Sequence, residues 1–336
     1  MGGAGATRRA VLGGGLAMAA LGSGRLAAQA PARPVTIANA AGSVNVTMQQ
    51  LMKQQRYLEE FGLAPELMHV SDGTRINSGI IGGDIDLTTM SGFAQVFPAV
   101  ERGAQLKLIC GAALLPSLCV FTAKPEVRTL KDLEGRTVGT GSLGSLLHQL
   151  MVGLFNKYGV DSSKVKFVNI GASVDVFKAT AVGTVDAGTG ENAILEQLDD
   201  YKVRLVEHGN MAEELPEYTY QGGWTSQRTL DQKRDTVVRA LAAYAKLYRF
   251  VQMPEAQDAF LRARRTVLPG SGDREGLAQW HFIQRYKPFA VDLVLGPERL
   301  DYMQKLNLQL GTQKQLLPYD RVADSSVARD ALSLLA

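Results

Sequence analysis

Two cysteines and four histidines in 336 residues leave little material for metal or thiol chemistry. Cys110 and Cys119 stand nine positions apart. His69, His148, His208 and His281 are scattered, and no spacing of the kind that holds zinc occurs. The hydrolase signatures Gly-x-Ser-x-Gly and His-Glu-x-x-His are missing, as is the lysine-bearing phosphate loop. No apolar run approaches the ~20 residues of a spanning helix. These absences leave no recognisable catalytic set and imply no cofactor.

The first thirty residues also lack any acid, and what they contain is informative. Thr7-Arg8-Arg9-Ala10-Val11-Leu12 leads into the small-residue apolar run Gly13 to Leu21, then Leu26-Ala27-Ala28-Gln29-Ala30. A paired arginine ahead of a weakly hydrophobic stretch reads as a cleavable export signal of the twin-arginine type, which implies a Tat translocase as transient partner and the periplasm as destination. Cleavage falls after Ala28 or Ala30, and no cysteine lies nearby to carry a lipid. Residues 1–30 hold three arginines, so removing them takes 36 basic residues to 33, against 33 acidic ones. A formally neutral mature chain gives no argument for nucleic acid or an anionic membrane as partner. In an oxidising compartment Cys110 and Cys119 suit a short-loop disulfide as well as two buried thiols.

About 306 remaining residues at this apolar content suggest two lobes. Short apolar strands alternate with amphipathic helices. Strands are expected at 35–39, 65–70, 85–89 and 106–110, with helices at 45–61, 74–82 and 93–103 between them. A second set has strands at 118–123, 137–140, 165–169, near 187 and at 203–206, with helices at 142–158, 173–182 and 192–198. From Leu230 onward only helices follow. Two α/β units with a helical tail place a cleft between them, lined where strands end and helices begin.

Several residues at such places could hold a ligand. Gly139-Thr140-Gly141-Ser142-Leu143-Gly144-Ser145 follows a strand and opens a helix, so it is either a plain cap or a polar-ligand loop. Thr88-Thr89-Met90-Ser91-Gly92 is its counterpart in the first unit. Arg75 faces either Asp72 or a ligand anion. Glu191 ends a short strand, either capping the next helix or accepting from an amine or amide-like ring.

Gly82-Gly83-Asp84-Ile85-Asp86-Leu87, Leu130-Lys131-Asp132-Leu133-Glu134-Gly135-Arg136-Thr137-Val138-Gly139 and Thr184-Val185-Asp186-Ala187 together resemble the periplasmic substrate-binding proteins of ABC transporters, in the group that takes nitrate, sulfonates, taurine and thiamine precursors. Pro288-Phe289-Ala290 with Asp292, and Tyr319 to Asp324, resemble the tail of this group, so the likeness covers about 34–330. It implies an α/β, two-lobed type II periplasmic binding protein fold with a central ligand cleft and a helical C-terminal tail. The first lobe would be 34–122 plus 224–336 and the second 123–220, with hinge crossings near 120–125 and 218–226. By position the resemblance puts ligand contacts on Ser43, Thr88, Ser91, Ser142, Ser145, Gly171 and Glu191, with Trp224 as an aromatic wall. It implies a monomeric, non-enzymatic receptor for a small molecule, with an inner-membrane permease as partner. An exported enzyme on the same fold and a sensor subunit are the competing readings. The 40–46 loop carries no aromatic clamp or basic residue, and Glu191 lacks the tryptophan and proline that often flank the corresponding acid.

Overall fold

In the computed structural model, which describes residue 1 and residues 32–70, 73–270 and 272–336, alternation builds the first strand. Val35 and Ile37 of β1 (Arg33–Ala40) point into the core. This strand pairs in parallel with β2 (Leu63–Val70) and β3 (Leu87–Ser91). β10 (Gly222–Ser226) runs antiparallel between β3 and β4 (Leu106–Gly111), giving the order β2-β1-β3-β10-β4. The second sheet has the order β7-β6-β8-β5-β9, from β5 (Leu118–Thr122), β6 (Thr137–Thr140), β7 (Lys166–Asn169), β8 (Ala187–Glu191) and β9 (Arg204–Asn210). Here β5 is the strand inserted antiparallel, between β8 and β9. The two inserted strands, β5 and β10, are those the chain enters on arriving from the opposite sheet.

That exchange moves the lobe boundary. β5 belongs to the second sheet, so the first crossing lies at 112–117 and not near 120–125. The return crossing occupies 211–221 and overlaps the expected 218–226. The helix expected at 45–61 is two helices, Ser43–Gln55 and Tyr57–Glu60, broken where Arg56 adopts a φ of 56°.

The tail is shared between lobes. In the Gln227–Val251 helix, Val237, Leu241, Tyr244, Tyr248 and Val251 recur at helical spacing and are all buried with β1 and β3 residues. The Asp273–Tyr286 helix reaches the second lobe through Arg274 to Asp200 (2.5 Å) and His281 to Glu196 (2.9 Å), and the return crossing through Tyr286 to Glu213 (2.5 Å). On the Pro297–Gln309 helix, Asn307 donates to the Ala94 carbonyl of the first lobe (2.8 Å) and accepts from Gln149 of the second. A continuous apolar core accordingly runs through both lobes, from Phe93 and Phe97 to Leu150 and Phe155.

Cys110 lies on β4 and Cys119 on β5, in different sheets, both buried and free of any disulfide. Burial pushes both thiols up, Cys110 to about 12. The segment 1–30, where an export signal is expected, lies outside the described residues apart from Met1.

Candidate functional site

Both sheets direct the carboxyl ends of their parallel strands at one cavity of about 1000 Å³. The first lobe contributes 40–45 after β1 and Ser91-Gly92 after β3; the second contributes 141–147 after β6, 171–173 after β7 and Glu191 at the end of β8. Ser117 and Tyr220 enter from the crossings, and Phe282, Ile283 and Phe289 from the tail.

Three helices begin here: Ser43–Gln55, Leu146–Lys157 and Ser173–Ala181. Their caps Gly42, Ser145 and Ala172 are extended, and in none does a side chain bond the first-turn amides. The cavity is therefore edged by the partial positive charge of helix amino ends. His148 steadies one of them by accepting the Gly144 amide through Nδ1 (2.9 Å). Burial lowers the pKa of this imidazole, which favours the neutral ring that acceptance requires. Gly171 stands at φ 122°, where a side chain would strain the backbone.

Six of the eight sequence-derived residues meet around this space: Ser43, Ser91, Ser142, Ser145, Gly171 and Glu191. Ser43 Oγ accepts from Gln279 Nε2 (2.6 Å), which joins the tail to the first helix. Ser142 Oγ accepts a long bond from Asn169 Nδ2 (3.4 Å). The buried hydroxyl of Ser145 has no partner among the described residues. Glu191 accepts from Ser117 Oγ at 3.4 Å, and no salt bridge reaches it among the described residues. Burial, helped by the negative charge of Glu275, pushes its carboxyl up to about 7.

Thr88 and Trp224 are corrections. They face each other inside the first sheet, in register across β3 and β10, short of the end that opens on the cavity. Thr88 is fully buried, with Oγ1 donating to Asn39 Oδ1 (3.2 Å). Trp224 is fully buried in the core shared with Phe93 and Tyr218, so it is a packing residue and no ligand wall. Arg75 does line the cavity.

The residue missed from sequence is Asn39, at the end of β1. Its Oδ1 receives Thr88 Oγ1, Thr89 N, Thr89 Oγ1 and Met90 N at 3.0–3.2 Å, and its Nδ2 donates to Tyr244 Oη (3.0 Å). One amide thus fixes the end of β3, from which Ser91 enters the site. A single buried polar residue closing an apolar strand was the available signal. Tyr220 and Ser117 were also missed, because crossing segments carry no periodicity to mark them.

Residues 44–256, well over half of the chain, match the family model described as NMT1/THI5 like. Among solved structures, the chain is similar to the alkanesulfonate-binding protein SsuA from Xanthomonas axonopodis pv. citri bound to MOPS. Identity is 18%, the TM-score is 0.69, and 90% of this chain and 98% of that one are covered. The periplasmic nitrate-binding protein NrtA from Synechocystis PCC 6803 is similar at 7% identity and TM-score 0.72, over 90% and 89%. The desulfurization enzyme DszB is similar at 16% identity and TM-score 0.63, over 90% and 100%. At these identities the likeness shows a shared fold. No curated protein matches the chain significantly in sequence.

Proposed function

This chain belongs to the NMT1/THI5-like family, and we propose that it is an extracytoplasmic solute-binding protein. It captures a small molecule between its lobes and delivers it to an inner-membrane ABC permease. The observation that carries this reading is the cavity itself, lined by both lobes, both crossings and the tail. A ligand touching all of these favours one arrangement of the lobes over others, which is what hinge closure requires. Ser43, Ser91, Ser142, Ser145, Gly171 and Glu191 are the proposed contacts. An enzyme of thiol chemistry on this fold is disfavoured, because Cys110 and Cys119 are buried with raised pKa values and neither lines the cavity.

Thermal-shift screening of the purified protein tests the receptor reading. A receptor is stabilised by a ligand it leaves chemically unchanged, the shift growing with ligand concentration. Conversion of the stabilising molecule into a product would sink the reading.

Address is proposed from Arg8 and Arg9. Replacing both with lysine should leave the full-length chain in the cytoplasmic fraction on cell fractionation. Undiminished recovery from the periplasm would exclude the twin-arginine route.

A further inference from the structure

We propose that the ligand of this cleft is amphipathic: an ammonium or other N–H donor head seated on Glu191, carrying an apolar body that lies against Phe282, Ile283 and Phe289. This rests on the receptor reading above and names the class of molecule that reading leaves open.

The first observation is an acid without a counter-charge. Glu191 lines the cavity, its hydrogen-bond partners are the neutral hydroxyls of Ser117, at a long 3.4 Å, and Ser173, and no Lys, Arg or His forms a salt bridge with it among the described residues. Enclosed carboxylates without a cation or several donors are costly, so the missing donor is expected from the occupant. The two arginines on the lining, Arg75 and Arg102, are exposed, whereas Glu191 is largely enclosed. A bare inorganic oxyanion would share the cavity with this acid and give it nothing to accept.

The second observation is the size and chemistry of the space. A cavity of about 1000 Å³ lies at the upper end of the range for drug-sized ligands. Phe282, Ile283, Phe289 and Leu147 are among the buried side chains on its wall, and Tyr220 adds a further ring. Apolar wall of this kind gains nothing from a compact, fully hydrated ion. It gains from hydrocarbon, roughly in proportion to the area covered.

Titration calorimetry of the full chain at pH 7.5 with n-alkylamines from ethylamine to n-octylamine, and with nitrate and taurine beside them, tests the inference. Affinity should rise about four-fold with each added methylene until the cavity is filled, since each buried CH₂ contributes about 0.8 kcal/mol. Glu191→Gln should weaken every member at least ten-fold while keeping that increment. Phe282→Ala should flatten the increment, with its unfolding temperature measured alongside to establish that it folds. Affinity independent of chain length, failure of every alkylamine to bind at millimolar concentration, or tighter binding of unchanged nitrate or taurine than of octylamine would each overturn the inference. The last result leaves the receptor reading standing. Conversion of a bound probe would instead remove the receptor reading, and this inference with it.

Discussion

Glu191→Gln should make the ligand-free protein more stable at pH 8 and leave it less able to bind. The carboxyl is raised to about 7 in the folded chain from an ordinary 4.5, chiefly by burial. A raised acid costs stability wherever it is ionised in the fold. Below the unfolded value both states are protonated and there is no cost. Between about 4.5 and 7 the folded state holds a proton that the unfolded state has lost, so stability falls as pH rises. Above about 7 the full cost is present. At about 1.4 kcal/mol per pKa unit the cost is on the order of 3–4 kcal/mol at most, and glutamine does not incur it. Denaturant unfolding from pH 4 to 9 should show variant and wild type converging at the acid end and diverging upward. A variant no more stable than wild type at pH 8 would remove the unpaired-acid account. A binding group that destabilises its own fold is the expected cost of a functional site.

Asn39→Leu should lose most of the stability of the first lobe. Leucine is close to asparagine in volume, but it leaves two backbone amides and two hydroxyls of 88–90 without their acceptor, and Tyr244 Oη without its donor. Each buried polar group left unpaired costs about 1–3 kcal/mol. Other partners and water recover part of this, so a net loss of about 4 kcal/mol or more is expected. Asn39→Asp keeps the acceptor, and Tyr244 Oη can turn to donate to it, so this variant should recover part of the loss. Equal loss in both variants would mean that volume or charge at this position matters more than the acceptor.

Much of this fold was legible in the chain, for reasons that vary by element. Strands such as β1 and β4 announce themselves by apolar runs between turn residues, and the 227–251 helix by its repeating face. What no local signal carries is which sheet a strand joins. β5 has the apolar sequence of any buried strand, and only long-range pairing with Gly188 to Glu191 puts it in the second sheet. The same exchange misplaced Trp224, which entered as a hinge-side aromatic and is packed inside β10. Serines and Glu191 at strand ends were found because position alone aims them at the cleft. Thr88 failed that rule by three residues, since its strand runs on to Ser91.

The central claim is that one molecule is held by both lobes at once, with Glu191 among its contacts. Hydrogen–deuterium exchange, with and without whichever compound the thermal-shift screen identifies, tests it most directly. Slowed exchange is predicted together at 43–46, 146–149 and 173–176, the first turns that edge the cavity from both lobes, and Glu191→Gln should diminish all three. Protection confined to one lobe, or appearing only at the separate pocket beside Asp86 and Lys233, would contradict it.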